Sequence, residues 1–228
     1  MVSLRDVLPA AAVLTALSAG TATAGSVTYP HIGTENPVQY TFTASSTGEI
    51  DAYFAGSGAA YDEVIGMDVN GVSTGIYGLD DHTSKIGQML DLGNVVAGDV
   101  ITFIDYVYPG GIGSNIVPNG ATYEWSSDAS ANVDGGNHVY ATSVTTGQAY
   151  KGSPAGMYVA FEDLKFPHSD FNYHDDTFVF RNVASAQVAE PSTWALLMAG
   201  FAGVGYAAFV RGRKTPACGN RRLERSPI

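Results

Sequence analysis

The chain has 228 residues, 11 basic side chains against 22 acidic ones, and a single cysteine. That length supports one globular domain of ordinary size, the acidic balance excludes a nucleic-acid-binding surface, and one cysteine excludes an internal disulfide. Glu, Lys, Arg and Gln are scarce while Gly, Thr, Val, Tyr and Phe are plentiful, which predicts strands and turns rather than helices.

Residues 1–24 read as a signal peptide. Arg5 and the amino terminus supply a weakly positive start, which Asp6 partly cancels. Leu8 to Gly20 is apolar and too short to span a bilayer comfortably, and Ala22-Thr23-Ala24 offers the small residues that signal peptidase requires. Cleavage is expected after Ala24, followed by export across the inner membrane.

Residues 25–188 form the expected exported body. Apolar residues alternate with polar ones in short runs: Val38 to Ala44; Ile50, Ala52 and Phe54; Met67 and Val69; Val100 to Val107; Met157, Val159 and Phe161; Phe178 and Phe180. Asn70-Gly71 is a two-residue hairpin signal, and Val96-Ala97-Gly98-Asp99 reads as a turn feeding the next strand. No helical period of useful length interrupts these runs. The pattern predicts an all-β fold, a β-sandwich or jelly roll. The body carries only Lys85, Lys151, Lys165 and Arg181 as bases, against 19 acids.

The densest chemistry lies between Phe161 and Phe180. A strand ending at Asp163 and another opening at Asp176 would fold back on each other. That would gather Glu162, Asp163, Asp170, Asn172, Asp175 and Asp176. Clustered carboxylates repel unless protonated or bound to a cation, and an all-oxygen set points to Ca²⁺ as a structural cofactor. The spacing is not that of an EF-hand. A solvated acidic hairpin is the competing reading. Paired carboxylates also serve glycoside hydrolysis, with Glu162 as the acid to test. Gly71-Val72-Ser73-Thr74-Gly75 matches the string of a nucleophile elbow, but a hairpin signal precedes it and no helix follows. Asp80-Asp81-His82 reads as a polar turn. Tyr106, Tyr108, Tyr123 and Trp125 are candidates for stacking on sugars.

Residues 192–210 contain no charge and, as a helix, would be about 28 Å long, enough to cross a hydrocarbon core. Trp194 marks one end, and Arg211, Arg213 and Lys214 mark the other, which places the C-terminus in the cytoplasm. Residues 215–228 read as a disordered basic tail.

The run from Val188 to Gly203, with Glu190-Pro191-Ser192 at its head and Arg211, Arg213 and Lys214 behind its apolar span, resembles the PEP-CTERM sorting signal. The resemblance covers roughly residues 188–214, with the sorting segment at 189–214. It departs from the family pattern at Ala189, where Pro is expected, and in the extension to Ile228. It implies recognition and cutting by an exosortase, anchorage by the helix before processing, and then a place at the cell surface or among the extracellular polysaccharide of Gram-negative bacteria. Phe161-Glu162-Asp163 followed by Ser169-Asp170-Phe171-Asn172-Tyr173-His174-Asp175 resembles a bacterial surface-protein domain family of unknown function. The expectation is an exported cell-surface or extracellular-matrix protein. Its body would be a non-catalytic structural or adhesive module with a calcium-stabilised acidic loop and exopolysaccharide as a partner. A surface enzyme acting on polysaccharide is the alternative.

Overall fold

The computed structural model describes residues 27–112, 118–188 and 201–202. The expected signal peptide (1–24), the sorting segment with Glu190, Pro191, Ser192, Arg211, Arg213 and Lys214, and the tail 215–228 lie outside the described residues. So does the expected spanning helix 192–210, apart from the pair 201–202. Among the described residues no helix is long and apolar enough to cross a membrane.

Eleven strands follow in chain order: β1 (Gln39–Ala44), β2 (Gly48–Ser57), β3 (Asp62–Val69), β4 (Val72–Gly78), β5 (Met89–Val95), β6 (Val100–Tyr108), β7 (Tyr123–Ser126), β8 (Val139–Val144), β9 (Gly156–Phe161), β10 (Asp176–Phe180) and β11 (Val183–Val188). They form two antiparallel sheets. One runs β11-β1-β6-β3-β4 with β7 added beside β6, and the other runs β5-β2-β10-β9-β8. β6 pairs with β3 along its length on one side; β1 and β7 share its other side.

Strand alternation builds the core. On β2, Ile50, Ala52 and Phe54 point inward; on β6, Ile101 and Phe103; on β10, Phe178 and Phe180. Each inward row is apolar because every second side chain faces the opposite sheet. Phe103 of one sheet stacks on Phe180 of the other with ring centroids 3.8 Å apart. The two sheets therefore pack face to face as a β-sandwich.

Two smaller clusters cover the outer faces. Tyr29 and Tyr173 pack with Tyr158, Ala160 and Val179 on the five-stranded sheet. Val64, Tyr106 and Tyr108 do so on the other. The Tyr173 hydroxyl accepts from the Asn36 amide and donates to the Asn137 carbonyl, both at 2.8 Å, which ties the segment before β1 to the sandwich.

The strand runs read from the sequence are all present. Asn70 and Gly71 have φ of 51° and 78°, the left-handed pair that a tight hairpin between β3 and β4 demands. Asp99 accepts from the Val96 amide at 2.7 Å and closes the turn into β6. Because Ser73 sits on β4, the Gly71–Gly75 string forms part of a hairpin and not a nucleophile elbow. The strands that alternation did not reveal, β4, β5, β7, β8 and β11, each pair on one flank only, and there the apolar signal thins.

Candidate metal centre

Acids gather at one end of the sandwich, where β3 and β10 begin and where β9 and the second half of β6 end. The inward parity explains how. Glu63 continues the row of Ile65 and Met67 on β3, Asp105 continues the row of Ile101 and Phe103 on β6, and Asp176 continues the row of Phe178 and Phe180 on β10. All three side chains are fully buried. One carboxylate oxygen from each lies within 4.8 Å of the others. All six of their oxygens lack a hydrogen-bond donor.

A second trio lies beside the first. Glu162, Asp163 and Asp175 also bring one oxygen each within 4.8 Å of one another. They have more help from the backbone: the Asp163 amide donates to Asp175 at 3.0 Å, and the Asn172 amide to Glu162 Oε2 at 3.2 Å. Glu162 Oε1 is buried without a donor. The Asp163 carboxyl lies beside both Glu63 and Asp175, so the two trios form one acidic seam.

Aromatic rings brace the seam. The Trp125 indole donates to the Asp163 carbonyl at 2.7 Å, and His138 Nδ1 lies 2.7 Å from the Glu162 carbonyl. The imidazole is stacked between Trp125 and Phe166, with centroid separations of 3.7 and 4.4 Å. Burial pushes its pKa down, against the pull of the Glu162 carbonyl and the Asp134 carboxylate.

Burial shifts the acids upward. Glu63, Asp105 and Asp176 are raised well above the usual carboxylate range, first by desolvation and then by repulsion among neighbouring acids. Burial, followed by Asp170 and Asp163, lifts Glu162 to about 7. Burial, followed by Asp163 and Glu162, lifts Asp175 to about 8. Lys85, Lys151, Lys165 and Arg181 are all exposed, so no buried lysine or arginine among the described residues offsets this charge. Buried acidic groups of this kind can hold a metal ion or protons.

A third group has protein partners instead. Asp62 lies 2.6 Å from His82 Nδ1 and accepts the Ile112 amide at 2.8 Å. Asp81 accepts from the Glu63 amide at 2.8 Å and from the Ser57 hydroxyl at 2.9 Å. The Asp80-Asp81-His82 stretch is thus a capped turn, with Asp80 accepting the amides of His82 and Thr83 at 3.1 and 2.9 Å.

The six residues expected to share one site divide three ways. Glu162, Asp163 and Asp175 converge. Asp176, one residue on, turns the other way and joins Glu63 and Asp105. Asp170 is exposed and bonds to Asn172 through both the backbone amide (3.0 Å) and the side-chain amide (2.9 Å). Asn172 retains a buried carbonyl oxygen, Oδ1, without a donor. Glu63 and Asp105 were not foreseen. Their signal was an acid on the inward parity of an otherwise apolar strand. Tyr106, Tyr108 and Trp125 are buried and offer no face to a sugar.

No family model matches the chain, and no curated protein or solved structure matches it either.

Proposed function

We propose that the body is a non-catalytic, cation-stabilised module of the cell surface, with Ca²⁺ held by Glu162, Asp163 and Asp175. The observation that carries this reading is the convergence of those three carboxylates within 4.8 Å, with a donorless oxygen on Glu162. Ca²⁺ suits the site better than Mg²⁺. It accepts irregular shells of six to eight oxygens at about 2.3–2.6 Å, whereas Mg²⁺ needs a tighter octahedron. The Asn172 amide oxygen and water would complete the shell.

Export by a signal peptide and sorting by an exosortase belong to the same proposal and rest on residues 1–24 and 189–214. Membrane anchorage through 192–210 precedes cutting, and the freed body then stays at the surface in a structural or adhesive role, beside exopolysaccharide. The enzyme alternative draws support from Glu162, whose pKa of about 7 would suit a general acid. Full burial of its side chain counts against contact with a sugar chain.

Two measurements test the proposal. The full chain should melt at a higher temperature in millimolar Ca²⁺ than in chelator at neutral pH; equal melting would sink the calcium reading. In a host with an exosortase the chain should be shorter than in a host without one. Neutral residues at Arg211, Arg213 and Lys214 should impair that processing. Equal sizes in both hosts would count against sorting.

A further inference from the structure

We infer that Glu63, Asp105 and Asp176 form a second, fully enclosed site for a hard divalent cation of the Ca²⁺ class, placed between the sheets so that the ion joins them. Glu63 and Asp105 come from adjacent strands of the six-stranded sheet, and Asp176 comes from the facing sheet. An ion here would be bound by both layers of the sandwich at once.

Three observations carry the inference. The first is burial. Each of the three side chains has 0% exposure, so water cannot solvate the charges. The second is the absence of donors. None of the six carboxylate oxygens receives a well-formed hydrogen bond; the nearest polar neighbours are the Thr177 amide beside Asp176 and the Asp163 carboxyl beside Glu63. Buried polar groups in folded proteins are almost always paired, and three neighbouring exceptions at one point require an explanation. The third is dimension. Three oxygens within 4.8 Å of one another share a centre no more than about 2.8 Å from each, so movements of a few tenths of an ångström bring all three to the Ca²⁺ distance of about 2.3–2.6 Å.

The surroundings agree. The acids of the neighbouring rim cluster, Asp62 and Asp81, are already served by protein donors. Asp81 takes the Glu63 amide and the Ser57 hydroxyl, so it orients the Glu63 backbone while its own oxygens are occupied. Only the interior trio is left wholly without donors. The strand positions are otherwise apolar: Ile65, Phe103 and Phe178 sit two residues further along the same inward rows. Three acids on those rows would oppose folding unless neutralised, because an unpaired buried carboxylate costs several kcal/mol. A divalent ion cancels two of the three negative charges at a point where both sheets meet.

The inference stands apart from the loop trio, since the two sites share no residue. Ion counting separates them. The full chain, stripped with chelator and reloaded with Ca²⁺ at neutral pH, should carry two ions by native mass spectrometry. Asp105→Asn should carry one, and Asp175→Asn should carry one. Glu63→Gln should repeat the Asp105→Asn result. One ion that Asp105→Asn loses and Asp175→Asn keeps supports the interior site and defeats the loop site. One ion that Asp175→Asn loses and Asp105→Asn keeps overturns the interior site. An ion lost in both variants means a single shared site and also overturns it. No bound ion in the unsubstituted chain overturns both. Far-UV circular dichroism guards against misfolding. Asp105→Asn removes a charge at nearly constant volume, so the variant should keep the β spectrum and, in chelator, melt above the unsubstituted chain. A variant that melts below it in chelator would mean that Asp105 already has a stabilising protein or proton partner, which also overturns the site.

Discussion

Asp62 and Glu63 are neighbours on β3, yet they meet opposite fates. Strand alternation turns Asp62 toward the rim, where it finds His82 and the Ile112 amide. It turns Glu63 inward, against Asp105 and Asp176, where neither of its oxygens has a donor. The two clusters are made of similar residue types at the same end of the sandwich. They differ in supply of donors: one is closed by the protein itself, the other is left for a cation or protons. Acidity alone therefore does not define a metal site; the count of unmet acceptors does.

The largest expected effect is removal of cation at neutral pH. At a hundredfold excess over the dissociation constant, each site contributes roughly 2.7 kcal/mol by mass action. For a domain of this size that amounts to about 5–10 °C per site. Melting in Ca²⁺ and in chelator should differ by that amount for one site and by about twice that for two.

Next comes pH. In chelator, Glu162 and Asp175 hold their protons up to about 7 and about 8, far above their unfolded values, because burial disfavours the charged forms. Their protonated contribution is complete below the unfolded pKa near 4 and is lost as pH rises through 7 and 8. The cation-free chain should thus melt lower at pH 8.5 than at pH 5, and added Ca²⁺ should remove most of that slope. A chelated chain whose melting temperature rises over this range would mean that the seam is solvated.

A pair of variants sharpens the contrast between the clusters. In chelator, Asp105→Asn should stabilise by on the order of 1–4 kcal/mol, since it replaces a buried carboxyl that must take up a proton on folding with a group that is already neutral. Asp62→Asn should destabilise by about 0.5–1 kcal/mol, since it weakens a partly exposed pair with His82. Thermal melts of both give opposite signs if the donor count decides, and the same sign if it does not.

The smallest effect is expected at Asp170. Its side chain is exposed and serves Asn172, so Asp170→Ala should reduce the Ca²⁺-dependent rise in melting by less than half, while Asp175→Asn should abolish the share due to the loop. Asp128→Ala, in a separate turn where Asp128 accepts from Ser130, should leave the rise intact. Equal losses for Asp170→Ala and Asp175→Asn would put Asp170 back among the ligands.

Much of this was legible in the chain itself. Alternation of period 2 located six strand runs, Asn70-Gly71 located a hairpin, and the acidic stretch after Phe161 located four of the seam's six acids. Those signals are local, since the pleat and the tight turn act over a few residues. The four adjacent acid pairs, Asp62-Glu63, Asp80-Asp81, Glu162-Asp163 and Asp175-Asp176, were also visible as residues. Their convergence was not. It depends on β3 lying beside β6 and on β10 facing them from the other sheet, pairings separated by many tens of residues. Only the tertiary structure decided that Asp176 parts from Asp175, that Asp105 completes its trio, and that Trp125 braces Asp163 instead of facing solvent. The physical reason is that a strand fixes which side a residue faces, while sheet order and register fix what it meets there.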